Sequence, residues 1–142
     1  MAAVTRREAR ELLLGLLFET EFRNDEDYRK IYESSVEERN IVLDEYIKRA
    51  YHFIYENTEM IDGLIGDSAH GWKTHRLTRL SRSILRLCVY EMLEEKDIPY
   101  SVSINEAVEL AKKYDDEKAR PFINGVLNAV KEGLEANSDK RS

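Results

Sequence analysis

Cysteine and proline are nearly missing from this 142-residue chain, which has one Cys and two Pro, and glycine and tryptophan are scarce at six and one. A lone cysteine excludes an intrachain disulfide framework and points to a reducing compartment. Set among Leu87, Val89 and Tyr90, Cys88 reads as a small buried apolar residue rather than a nucleophile. No apolar run is long enough to span a bilayer. Behind Arg6 and Arg7 the N-terminus has no signal-peptide core, because Glu8 and Glu11 interrupt it. The expectation is a cytoplasmic protein with no membrane contact. Metal and catalytic signals are also missing. His52, His70 and His75 lack ligand spacing with Cys or clustered carboxylates, and no glycine-rich phosphate loop occurs. The acids at Asp25 to Asp27 and Asp115 to Glu117 read as helix-start residues. No enzyme, cofactor or metal is expected.

What the chain does have is charge, unevenly spread. The net charge is -6, which argues against a nucleic-acid partner until its distribution is read. Between Ser68 and Tyr90 stand Lys73, Arg76, Arg79, Arg82 and Arg86 with no acid among them, and Arg6, Arg7 and Arg10 form a second basic group. Local patches decide contact with phosphate. The competing reading of these arginines is a solvated helix face.

Every long apolar pattern repeats near 3.6 residues and no alternating pattern persists, so the fold class is all-α, a single compact domain over residues 1–142 with about seven helices. The first starts at Thr5, where Thr5 and Glu8 have capping-box spacing, and Ala9, Leu12, Leu13, Leu16 and Leu17 form its core face. Further helices are predicted over Glu26–Glu33 (Tyr28, Ile31 and Tyr32 inward), Glu37–Asn57 (Val42 and Leu43 among its apolar set) and Thr58–Ile65, with Gly66 as a stop. Trp72 lids the core from a short link. Thr78–Glu95 is apolar on most sides and is expected to be the central buried helix. The sixth helix opens at Ser103, where Ser103 and Glu106 have the spacing of a second capping box, and the seventh covers Lys118–Leu134, with a frayed tail from about residue 136.

Three places could carry function. On the first helix Arg7, Arg10, Leu14 and Phe18 share a side away from the core stripe. Arginines next to an N-cap oppose the helix dipole, which invites a functional explanation. This side is either a binding face or packs under neighbouring helices. Arg79, Arg82 and Arg86 share a face of the fifth helix and, with Lys73 and Arg76, could track a phosphate backbone. Around the start of the last helix Tyr114 and Phe122 stand beside Lys113, Lys118 and Arg120. Aromatics flanked by cations suit single-stranded RNA, and core packing is the competing role for each.

Two loop-to-helix segments, Ile98 to Lys112 (with Asn105) and Phe122 to Asn128 (with Asn124), narrow this further. With Arg6, Arg7 and Arg10, Ile61 to Ile65, the Trp72 region, Ile84 to Leu87 and Tyr90-Glu91, they give a pattern that resembles the NusB family of bacterial transcription antitermination factors along almost the whole chain. The resemblance implies two packed three-helix bundles plus a short helix. It implies binding of boxA, a short single-stranded RNA element of ribosomal RNA leaders, together with the ribosomal protein NusE. That pair joins RNA polymerase and other Nus factors in a complex that resists termination. The RNA residues implied by resemblance or charge are Arg6, Arg7, Arg10, Lys73, Arg76, Tyr114, Lys118, Arg120 and Phe122, with Phe122 stacking a base. The partner face is Leu14, Phe18, Ser81 and Arg82. In some members the arginine-rich helix self-associates, which would set a homodimer against RNA for one face.

The chain departs from the family pattern at Glu8, where many relatives have arginine. It departs at Ser81, where an acid is usual, and at Asp115, where glycine is usual. Ala119 replaces the usual Ser before the Phe motif, and Pro121 directly precedes Phe122. A related helical domain opens some ribosomal RNA cytosine methyltransferases, but no methyltransferase domain is present in these 142 residues, so a stand-alone factor is expected. The alternative is a helical protein–protein adaptor that ignores RNA.

Overall fold

The computed structural model describes residues 4–38, 44–69 and 77–141, with side chains as far as 137. It contains α1 (Arg6–Phe22), α2 (Tyr28–Glu38), α3 (Glu45–Glu56), α4 (Thr58–Ser68), α5 (Arg79–Glu94), α6 (Tyr100–Tyr114) and α7 (Ala119–Arg141), and no strand among the described residues. Val42, Leu43, His70, Trp72, Lys73, His75 and Arg76 lie outside the described residues.

Polar side chains start three of the helices. Thr5, Asp44 and Thr78 each accept a backbone N–H three residues on, from Glu8, Ile47 and Ser81, at 3.0–3.1 Å. Only half of the expected box forms at α1, since Glu8 takes the Thr5 hydroxyl rather than a backbone N–H. α5 is the central element. Ile84, Leu85, Leu87, Cys88 and Val89 are all sealed from solvent, because α5 packs against α1, α3, α4, α6 and α7. Burial raises the Cys88 thiol pKa well above its ordinary value, in keeping with a packing residue.

Several boundaries differ from the sequence reading. α4 runs past Gly66 to Ser68, so Gly66 is no stop. Residues 37 and 38 belong to α2 rather than to the next helix, and α7 continues beyond Leu134 to Arg141. The largest difference is at α6. It begins at Tyr100, with Pro99 as its extended N-cap residue, so Ser103 and Glu106 lie inside the helix and make no capping box. Both are drawn to other elements: the Ser103 hydroxyl donates to Glu91 on α5, and Glu106 receives Arg7 from α1. Pro121 sits in the first turn of α7, where its missing N–H costs no intrahelical bond. Leu12 is 37 % exposed rather than core, whereas Leu14 is buried.

Candidate RNA and protein interfaces

The three N-terminal arginines have three different settings. Arg10 is buried against α5. Its Nε and Nη2 donate to the two oxygens of Glu91 at 2.7 and 3.1 Å, and Glu91 also accepts from Tyr46 of α3 and, at 2.8 Å, from Ser103 of α6. One carboxylate thus joins four helices. Burial alone would lower the Arg10 pKa, but the Glu91 contacts outweigh it and hold the guanidinium charged. Arg6 lies over the Tyr46 ring at 4.3 Å and reaches Glu95 at 3.4 Å. Arg7 is open to solvent, its side chain 73 % exposed, and its Nε and Nη2 donate to Glu106 at 3.3 and 2.8 Å.

Arg7 stands on one wall of a groove of about 480 Å³ between α1 and α6, which also includes Glu11, Glu106, Lys112 and Lys113. At its far end Glu11 accepts from Lys113 and, at 2.9 Å, from the hydroxyl of the half-exposed Tyr114. These contacts pull the Glu11 pKa below the usual carboxylate range and raise that of Lys113. Lys118 and Arg120 follow on the turn into α7, where Arg120 reaches Glu117 at 4.0 Å.

Phe122 is only 2 % exposed. Its ring belongs to the core of this conformation, which corrects the expectation of a ring open for base stacking. Arg10 is corrected likewise: it is buried, with Nε and Nη2 on Glu91 and Nη1 3.8 Å from Glu106. The basic face of α5 does not form a free stripe either. Arg86 is buried, with Nε and Nη2 on Asp62 at 2.8 and 2.7 Å and Nη1 on Glu21 at 3.0 Å, while Arg82 reaches Glu21 at 3.3 Å. Arg79 lies over the Phe22 ring at 4.6 Å.

Around the other side of α1 runs an apolar groove of about 330 Å³ lined by Leu14, Gly15, Phe18, Leu80 and Tyr114 with Glu11 at its edge. Phe18 packs on Phe22, ring centroids 4.9 Å apart, and Phe22 is 59 % exposed. Leu80 brings the start of α5 to this α1 surface, which holds Leu14 and Phe18, whereas Arg82 lies outside it on Glu21. Sequence reasoning missed Phe22, although its spacing of four from Phe18 was the available signal. Ser81 is corrected: it is fully buried and donates to Asp115 at 2.8 Å. Two departures from the family pattern therefore touch, with a serine on α5 accommodating the carboxylate after α6.

Comparison with known proteins agrees with this geometry. The NusB family model matches residues 7–132. The chain is 45 % identical to the transcription antitermination protein NusB of Clostridium botulinum (strain Loch Maree / Type A3), over 89 % of this chain and 99 % of that one. It is 42 % identical to the protein of that description from Ruminiclostridium cellulolyticum, over 90 % and 89 %. Among solved structures, T. maritima NusB superposes with a TM-score of 0.77 at 40 % identity, covering 91 % of this chain and 92 % of that one. A complex of the antitermination factors NusB and NusE with double-stranded RNA superposes with a TM-score of 0.76 at 32 % identity, covering 90 % and 96 %. With its helix order, its arginine-bearing first helix and these matches in agreement, the chain belongs to the NusB family.

Proposed function

We propose that this protein is a transcription antitermination factor that binds boxA RNA of ribosomal RNA leaders together with NusE, and so helps RNA polymerase resist termination in the cytoplasm. The observation that carries the RNA half is the α1–α6 groove, where Arg7 and Lys113 reach solvent from facing helices with Tyr114 beside them. Arg7, Lys112 and Lys113 meet phosphates, Arg6, Lys118 and Arg120 extend the basic path, and Tyr114 is the exposed aromatic able to stack a base. Arg10 supports that surface from within. NusE takes the apolar face of Leu14, Phe18 and Phe22, with Arg79 and Arg82 at its rim. The two faces adjoin along α1 and meet at Glu11 and Tyr114, so the two ligands come into contact there.

The NusB–NusE structure that this chain resembles carries a duplex, so strand preference belongs in the test. Fluorescence anisotropy would follow single-stranded boxA RNA, its duplex and a scrambled sequence, each with and without NusE. Preference for single-stranded boxA, tightened by NusE, is expected. The log–log salt slope should be roughly 2 to 3.5 in magnitude for three to five neutralised phosphates. NusE binding with no RNA binding at any salt would leave the adaptor reading in its place.

A further inference from the structure

We propose that Glu11 and Glu106 are built-in counter-ions of the α1–α6 groove, which RNA phosphate must displace from Lys113 and Arg7, and that they thereby set its RNA affinity. This rests on the reading of the groove as the RNA surface. The two ion pairs are reciprocal. Arg7 of α1 is held by Glu106 of α6, and Lys113 of α6 is held by Glu11 of α1. Each helix supplies one cation and one acid, and the pairs lace the groove across its width.

The charges balance. Arg7, Lys112 and Lys113 face Glu11, Glu106 and Glu109, and the remaining cation of the lining, Arg10, is neutralised from behind by Glu91. A groove with no net charge exerts little long-range pull on a polyanion. Arg7 and Lys113 become available only by exchange of carboxylate for phosphate, while the exposed Lys112 lies beside them in the groove. The geometry permits that exchange. The Nε–Nη2 edge of Arg7, now on Glu106, is an edge that a phosphate would occupy in a two-pronged contact. The cations are 73 % and 60 % exposed, where ion pairs add little net stability, and Glu106, itself 13 % exposed, keeps the Arg10 guanidinium at 3.8 Å as a partner when Arg7 leaves. Arg10 differs. It is sealed in, and taking Glu91 from it would strand a buried charge.

The test measures anisotropy of a short single-stranded boxA RNA with the full-length chain and NusE, across a salt series. It compares wild type with Glu11→Gln, Glu106→Gln and, as a control for net charge, Glu59→Gln, whose side chain is exposed on α4 away from the groove. Thermal melts confirm that each variant is folded. Severalfold tighter binding is expected for the first two at low salt, with a log–log slope steeper by up to about 0.7 per freed cation, and no change is expected for Glu59→Gln. Wild-type binding that neither variant improves would overturn the proposal. Weaker binding by Glu106→Gln would show instead that Glu106 aims Arg7 at RNA. An equal gain in Glu59→Gln would reduce the effect to net charge. No RNA binding by any of the four proteins would remove the functional reading itself, and this inference with it.

Discussion

Arg7 and Arg10 stand one turn apart on α1 and each grips a glutamate with the same two nitrogens, yet the two pairs do different things. Arg7–Glu106 spans a groove, with its arginine open to water. Arg10–Glu91 is buried, and its carboxylate also takes Tyr46 and Ser103, so it ties α1 to α3, α5 and α6. The difference lies in burial rather than residue type. The arginines of α1 are therefore not equivalent: the inner one ties helices together and the outer one is displayed to solvent.

The largest effect expected from that contrast is on stability. Arg10→Ala leaves Glu91 and its remaining donors buried without their cation and should destabilise the fold by about 3–5 kcal/mol in urea unfolding, whereas Arg7→Ala should leave the unfolding midpoint close to wild type. Equal midpoints for the two variants would erase the distinction. Next in size is the neighbouring face. Phe18→Ala should weaken NusE binding by about 2 kcal/mol in calorimetry with little change in RNA binding by the chain alone. A loss confined to RNA would exchange the two faces.

These roles were only partly legible in the sequence. Helical periodicity was enough for the all-α class, the central place of Thr78–Glu95 and, in α1, for Ala9, Leu13, Leu16 and Leu17, though it put Leu12 in the core in place of Leu14. The α6 start was misread because Ser103 and Glu106 satisfy the spacing of a capping box while α5 and α1 supply stronger partners for both. Arg10 was misplaced for a related reason. Counting 100° per residue puts it on the side of Arg7, but a guanidinium at the edge of a core stripe can turn inward once Glu91, eighty-one positions away, offers both oxygens. For Phe122 the neighbouring lysines and arginines left base stacking and core packing both open, and the family resemblance pointed to stacking; no local signal tells a covered ring from an open one. The Ser81–Asp115 contact is likewise a long-range pairing that becomes visible only when α5 and α6 are packed.

A smaller effect sharpens the comparison at the intermediate arginine. Arg49, Tyr90 and Arg6 converge on Glu95 and hold its carboxyl pKa down at about 2, from an ordinary 4.5. A depressed carboxylate contributes stability that is fully present above about pH 4.5 and is lost as pH falls toward 2. Because Arg49 and Arg6 are partly solvent-screened, about 1–2 kcal/mol is expected. Glu95→Gln should flatten the acid limb of the stability profile by that amount, and an unchanged limb would show that Arg6 and Arg49 do not act through Glu95.

The most direct test of the central claim is the salt dependence of boxA RNA binding by wild type and Arg7→Ala in the presence of saturating NusE. If Arg7 is the arginine of α1 that meets phosphate, the variant binds more weakly and its log–log slope is shallower by about 0.7, while its unfolding midpoint is unchanged. An unaltered affinity and slope would place the RNA elsewhere on the molecule and contradict the account.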